Sequence, residues 1–374
     1  MKKPVIVYIT NIPVPYRYQL YQSFCSSNDF EGWILFDSLS YGETWATSMD
    51  DKVNYEIYGG QSLSGETGKT PLSLKLFRQL WRKSPTVIIL SEFSPLLVLQ
   101  TLLYMLVTRH RVNLISMTDE NRAFFDRLSW KRARLLFRKL TLRFVDKCIC
   151  CSESSREHIE ALTQRMKGRT IVSYLTPESC YYEKPAAKEL QPVQINLLTV
   201  CRLVELKRVD RLIQAAKILD ESKDVPNWRL TIVGDGPEEP RLKEMVRRFG
   251  LEEKVLFQGR LVGEKVHQAY RDANIFLLTS DQEVWGVVVH EAMLNGLVPV
   301  VTKAVGSSEL VLKGGGIVID DSGEESAIVG AIASTLQSLL SNPEKMKRMQ
   351  RECLKYAGNI TIAQEVASYL SAVL

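Results

Sequence analysis

Short apolar runs alternate with amphipathic stretches along nearly the whole of this chain. Apolar runs of strand length fall at Val5–Ile9, Trp33–Phe36, Val53–Ile57, Val87–Leu90, Val112–Ile115, Cys148–Cys151 and Ile171–Tyr174. Between most of them apolar residues recur at helical spacing, as in Pro15–Phe24, Leu72–Trp81, Arg122–Phe144 and Ser155–Leu162. This alternation predicts an α/β chain with a doubly wound sheet carrying helices on both faces. A polar, irregular segment, Pro177–Gln194, interrupts the rhythm and reads as a linker. Beyond it the alternation restarts at Ile195–Val200 and ends in three helical patterns, Glu324–Leu340, Pro343–Tyr356 and Thr361–Val373. The expected organisation is two Rossmann-like domains, residues 1–185 and 186–374, the second keeping all the closing helices. Two such halves joined once would face each other across a cleft at the carboxyl edges of their strands, where open α/β folds bind ligands.

The densest chemistry lies between Phe276 and Glu309, FLLTSDQEVWGVVVHEAMLNGLVPVVTKAVGSSE. Strand Ile275–Leu278, a polar turn at Ser280–Glu283, a helix from Gly286 to Leu294 and strand Val298–Val301 form a parallel-sheet unit. Glu283 and Glu291 both fall near that helix's start, where the first amides have no intrahelical partner and the end of the macrodipole favours phosphate. A carboxylate can accept from two donors at once, so one Glu can hold a sugar's vicinal hydroxyls and the other a ribose diol. The phosphates between them would meet the amides of Val284, Trp285, Gly286 and Val287. The alternative is an ordinary helix cap followed by an early-helix acid, and this segment alone leaves both open.

Other segments add weight. Strand Ile195–Val200 runs into CRLVELKRVDRLI, which puts Arg202 and Lys207 at the same sheet edge as Glu283, where two cations can neutralise a diphosphate leaving group. Strand Leu230–Val233 runs into Gly234, Asp235, Gly236 and Pro237, a turn in which glycines let backbone approach a ligand closely. It lacks the third glycine of a dinucleotide fingerprint, and no phosphate-binding GxxxxGK[ST] loop occurs. In the first half, Asn11–Arg17 replaces a glycine-rich turn. Pro15 would start a helix, and Tyr16 and Arg17 would bind an acceptor, unless Arg17 simply lies in solvent.

Composition narrows the classes. At 374 residues, 45% hydrophobic and 24% charged, the chain is ordinary globular material with ample core. An odd number of cysteines, seven, with no leader ahead of the first strand, predicts reduced thiols in a cytoplasmic protein. Cys148, Cys150 and Cys151 read as core, the four histidines are scattered, and no metal is assigned. Pro95–Val107 is shorter than the roughly twenty residues of a membrane-spanning helix and is expected to be a buried helix. The net charge of +5 is mild, but Arg127 to Lys147 carries eight basic residues against one acid. Trp130, Ala133, Phe137, Leu140 and Phe144 recur on one face of that stretch, a pattern that suits either an anionic membrane surface as partner, with peripheral attachment at the inner membrane face, or a core helix with a solvated basic face. No RNP-like aromatic strand accompanies the basic stretch, so nucleic acid is not expected.

Taken together, CRLVELKRVDRLI, VGDGP and EVWGVVVHEAMLNGLVPVV followed by GSSEL resemble the nucleotide-sugar domain of family-4 retaining glycosyltransferases of the GT-B fold. TNIPVPYR is similar to the start of bacterial polysaccharide-assembly members. The resemblance implies that Glu283 contacts the donor sugar, Glu291 the ribose, and Arg202 with Lys207 the diphosphate. It further implies a retaining, metal-independent hexosyltransferase that moves sugar from a nucleoside-diphosphate donor to a glycan or lipid-linked acceptor, with no cofactor beyond that donor. Two departures stand out. Val284-Trp285-Gly286 occupies the place of the family's Gly-Phe-Gly, and SMTDENRAFFD lacks the His often found near the reacting carbon, leaving Asp119 or Glu120 as stand-ins or as a helix cap. The competing readings are a nucleotide-sugar epimerase of the same fold and a non-catalytic sugar-nucleotide-binding protein.

Overall fold

The computed structural model describes residues 3–41, 45–46, 49, 51–59, 73–91, 95–108, 111–119, 131–181, 194–222 and 225–374. They fall into two units, Met1–Glu178 together with Thr361–Leu374, and Ser179–Ile360.

The first unit holds a seven-stranded parallel sheet built from β1 (Val5–Thr10), β2 (Glu31–Phe36), β3 (Tyr55–Ile57), β4 (Val87–Leu90), β5 (Asn113–Thr118), β6 (Lys147–Cys150) and β7 (Thr170–Val172). Their order is β3-β2-β1-β4-β5-β6-β7. β1 and β4 are buried at every position, as expected of strands covered on both faces. The helices are α1 (Tyr18–Cys25), α2 (Leu74–Lys83), α3 (Pro95–Thr108), α4 (Lys131–Thr141) and α5 (Glu153–Leu162). Side chains from α2, α3, α4 and α5 join one continuous apolar cluster with β1, β4, β5 and β6, so these helices share one face of the sheet. Cys148, Cys150 and Cys151 are buried, the core placement their apolar run predicts.

The second unit repeats the plan with six parallel strands, β8 (Ile195–Val200), β9 (Trp228–Val233), β10 (Val255–Gly259), β11 (Ile275–Leu278), β12 (Val298–Thr302) and β13 (Ile317–Ile319). The order is β10-β9-β8-β11-β12-β13. Its helices are α6 (Val209–Glu221), α7 (Glu239–Phe249), α8 (Glu264–Asp272), α9 (Val287–Leu294), α10 (Ser308–Lys313), α11 (Glu325–Leu340) and α12 (Pro343–Gly358). Strand order reverses between β8 and β11, and open α/β sheets bind ligands beyond the carboxyl ends of the strands at such a point. The loops that leave those two strands are the ones that carry Arg202, Lys207 and Glu283.

Three expectations need correcting. The last helix, α13 (Ile362–Val373), belongs to the first unit and not to the C-terminal domain expected to keep all the closing helices. Its amphipathic face, Glu365, Tyr369 and Ala372, is buried there, and periodicity shows only that a helix has such a face, never which sheet receives it. The boundary also moves: Ser179–Tyr181 already forms a single turn of the second unit, with Tyr181 stacked on His267 at 4.2 Å between ring centroids. The first helix is split, a 3-10 turn at Pro15–Arg17 followed by α1. Of the helix expected over Arg122–Phe144, α4 is seen, while Glu120, Arg127 and Trp130 lie outside the described residues.

Candidate active site

The loop after β8 is anchored by its neighbour from β9. The amide of Leu203 donates to the carbonyl of Asp235 at 2.7 Å, and the amide of Glu238 to the carbonyl of Leu203 at 3.0 Å. The backbones meet so closely that a Cβ on Gly234 would stand 1.8 Å from the Cys201 carbonyl oxygen, and one on Gly236 would stand 2.3 Å from that of Leu203. Both glycines were expected to let the chain approach a donor. The close approach that the structure holds is to this chain's own loop, Cys201–Leu203.

A single turn at Glu205–Lys207 follows, and Arg208 then takes a left-handed conformation, φ 49°, at the start of α6. That strained residue is held by carboxylates: its guanidinium donates to Asp210 at 3.1 Å and to Asp281 at 3.1 Å, and also bonds Glu325. Buried Arg211 donates to Glu325 at 2.8 and 2.9 Å, pairs with Asp281 at 2.7 Å and donates to the Thr279 carbonyl at 3.1 Å. These ion pairs lower the Glu325 pKa, with the hydrogen bond from Arg211 the chief cause. Two more bonds, Asp281 amide to Leu206 carbonyl at 2.9 Å and Thr279 hydroxyl to Arg208 carbonyl at 3.0 Å, fasten this loop to the one after β11. Arg211, Asp281 and Glu325 escaped the sequence reading, because residues this far apart in the chain announce no pairing.

The consequence is that Lys207 and Glu283 meet. The Lys207 ammonium donates to Oε2 of Glu283, and both side chains are about four-fifths shielded, with 18% and 19% exposed. Cys201 lies close enough to feel both charges. Its thiol is pushed up to about 11, mainly by burial, with Glu283 adding to the rise and Lys207 opposing it. Arg202, expected beside them, has an exposed side chain that makes no hydrogen bond or ion pair among the described residues.

Past Glu283 the chain is pinned from the other side. The amide of Gly306 donates to the Glu283 carbonyl at 2.9 Å and that of Ser307 to the Trp285 carbonyl at 2.8 Å. The Trp285 indole is buried, and Val284 is half-buried. Gly286 caps α9 at φ 86°, a left-handed conformation that disfavours any Cβ, and Val287 opens the helix. Glu291, one turn on, accepts from the Tyr270 hydroxyl at 2.7 Å. Burial chiefly, then Glu291, pushes the Tyr270 phenol well above its usual range, with Cys201 a lesser contributor. Glu283, Lys207, Cys201, Tyr270 and Glu291 thus form one electrostatic neighbourhood. Tyr270 is a member the sequence did not reveal.

Gly286→Ala tests how far this geometry is set by backbone. The added methyl would meet Cγ of Glu283 at 3.1 Å in a left-handed conformation, and we expect a loss of about 1–3 kcal/mol in chemical denaturation. An unchanged denaturation midpoint would refute the assignment of that conformation.

In the first unit, Asp119 follows β5 at its carboxyl end and is half-buried. It sits near Tyr16, whose phenol rises to about 12, principally through burial and partly through Asp119. Arg17 was expected to bind an acceptor or to lie in solvent, and the structure buries it against side chains of α13. It is 4% exposed, and Nη1 donates to Glu365 and to the Tyr369 hydroxyl, both at 2.8 Å. Glu365 also accepts from the Thr176 amide at 3.1 Å. A buried guanidinium requires such partners, and α13 supplies them.

Residues 183–355 match the family model described as "Glycosyl transferases group 1". That stretch of the chain belongs to group 1 of the glycosyl transferases. The group 1 domain therefore holds Lys207, Glu283, Tyr270 and Glu291. Among curated relatives, the chain is 26% identical over 215 residues to a phosphatidylinositol N-acetylglucosaminyltransferase subunit from Arabidopsis thaliana, covering 57% of this chain and 47% of that one. It is 32% identical over 119 residues to the N-acetyl-alpha-D-glucosaminyl L-malate synthase of Bacillus anthracis, covering 32% of this chain and 30% of that one. The chain thus spans about half or less of these relatives' length. Similar solved structures include Anabaena HepE in complex with UDP, with TM-score 0.73 and 18% identity over 99% of both chains. The lipopolysaccharide outer core galactosyltransferase WaaB is similar too, with TM-score 0.73 and 16% identity over 99% of both chains. The fold class is GT-B, two Rossmann-like units, with the group 1 domain as the second.

Proposed function

We propose that this chain is a retaining glycosyltransferase that moves a hexose-type sugar from a nucleoside-diphosphate donor to a hydroxyl of a glycan or lipid-linked acceptor in polysaccharide biosynthesis. The observation that carries the reading is the Lys207–Glu283 pair beside the N-terminus of α9, at the point where strand order reverses in the group 1 domain. In this reading the donor diphosphate takes Lys207 from Glu283 and rests on the first amides of α9, with exposed Arg202 closing on it. Glu283, released, accepts from the sugar hydroxyls, and Glu291 with Tyr270 receives the ribose diol. The C1–O bond to the diphosphate breaks as the C1–O bond to the acceptor forms, and the acceptor proton passes to the leaving phosphate. Lys207, Arg202 and the helix end stabilise the departing charge by fixed electrostatics, which requires no metal or further cofactor. Asp119 and Tyr16 are assigned to the acceptor side; Arg17 acts through structure. HepE, which was solved with UDP, supports a uridine donor as the first to try.

The test is a panel of UDP, GDP, ADP and TDP sugars with released nucleoside diphosphate as the readout, wild type beside Glu291→Ala. We expect one donor class to support acceptor-dependent release, and the variant to lose most of it at an unchanged melting temperature. An equally active variant would remove Glu291 from the site. Conversion of donor to a different sugar with no acceptor would make the protein an epimerase, and binding without turnover would leave a sugar-nucleotide receptor.

A further inference from the structure

Helix α3 buries Leu97, Val98 and Tyr104 in the apolar cluster of the first unit, yet its outer side is apolar too. Its polar side chains Gln100, Thr101 and Tyr104 are buried, and Gln100 accepts from the Ser73 amide at 2.8 Å to fix the start of α2. Its outward side is a stripe of Leu96, Leu99, Leu103, Leu106 and Val107 at helical spacing, with Leu99 53% and Leu106 75% exposed. The helix was expected to be buried, and only one side of it is. Scattered exposed leucines need no explanation, but five apolar residues on one stripe form a patch that needs a partner.

The flanking helices indicate which partner. α3 connects β4 to β5 and α4 leads into β6, so right-handed crossovers set α2, α3 and α4 side by side on one sheet face. None of the three contains an Asp or Glu. Exposed on α2 are Lys75 and Arg78, with Arg82 already paired to Glu56, beside Leu74 and Trp81; exposed on or just after α4 are Arg132, Arg134, Lys139 and Arg143 beside Leu136, Leu140 and Phe144. An apolar ridge between two basic, aromatic-bearing shoulders is complementary to a lipid surface that is apolar within and anionic at its headgroups. A second copy of this chain fits poorly, because stacking the same face on itself would oppose basic shoulders to basic shoulders.

We propose that the α2-α3-α4 face docks the first unit onto an anionic lipid bilayer, the α3 stripe entering the headgroup–acyl boundary and the shoulders meeting the lipid phosphates. No helix among the described residues is long and apolar enough to cross a membrane, so this is attachment from one side. The inference rests on the first unit alone and is independent of the donor-site reading.

Flotation of the full-length protein with phosphatidylcholine vesicles, with and without phosphatidylglycerol, tests it. We expect at least about tenfold tighter binding to the anionic vesicles, weakened by salt. Leu103→Gln/Leu106→Gln should abolish flotation while leaving the melting temperature unchanged or higher. Lys75→Glu/Arg78→Glu/Lys139→Glu should remove the preference for anionic lipid, and serves as a second readout should the apolar variant misfold. Failure of the wild type to float, equal binding to both vesicles, or full binding by either variant overturns the proposal. So does a lipid-free dimer that the Leu103→Gln/Leu106→Gln change disperses, since a second copy would then be the cover.

Discussion

Replacing Lys207 by Met is expected to lower kcat/KM for sugar transfer by about 10²–10³-fold, the usual cost of removing one fixed donor to developing charge. The fall should sit mostly in kcat, because the charge on the leaving diphosphate is greatest in the transition state. Stability offers an internal control. Lys207 and Glu283 are partly exposed, and pairs of that kind contribute about 0–1 kcal/mol, so the melting temperature should hardly move. Arg202→Met, on a side chain with no partner among the described residues, should leave stability untouched and cost activity only if the diphosphate recruits it. Steady-state kinetics of the two variants beside wild type decides the matter. A Lys207→Met enzyme with most of its activity would refute the assignment of leaving-group stabilisation to this residue.

The second large effect concerns stability. Glu365→Ala takes the carboxylate from the Arg17 guanidinium in the core of the first unit and strands the Thr176 amide and hydroxyl with it, and should cost about 3–5 kcal/mol. Arg17→Ala should do comparable damage for the converse reason. The double replacement Arg17→Met/Glu365→Leu removes both charges and refills the space, so it should be far less harmful than either single change. Urea denaturation of the set gives the coupling directly. Additive losses would mean that the two side chains do not depend on one another.

These two predictions draw on different kinds of information. Lys207 and Glu283 were legible because each lies in a loop at the end of an apolar run, and parallel topology brings such loops to one edge whatever their separation in sequence. The strands were legible from length and residue type: a short, β-branched apolar stretch such as Val298–Val301 suits a strand buried inside a sheet better than a helix. What the sequence hid were pairings at long range. Arg17 and Glu365 are 348 positions apart, and nothing local to either distinguishes a buried ion pair from two solvated charges. Nothing local to Arg208 or Arg211 likewise marks the carboxylates of Asp281 and Glu325 that close around them. Gly234 and Gly236 were recognised as positions of close approach, but what approaches them is decided by the neighbouring loop. The apolar composition of α3 predicted a helix and said nothing of its outer face, since a buried helix and a lipid-facing one draw on the same residues.

The return of α13 to the first unit bears on how the molecule is made. Ribosomes deliver the chain from the amino end, so β1 to β7 emerge long before the stretch Thr361–Leu374 that completes their core. Until then Arg17 has no carboxylate to meet, and the N-terminal unit must wait, unfinished, while the entire glycosyl transferase domain is synthesised. Domain-by-domain maturation in order of synthesis is closed to this protein, because its first half is the last to be sealed.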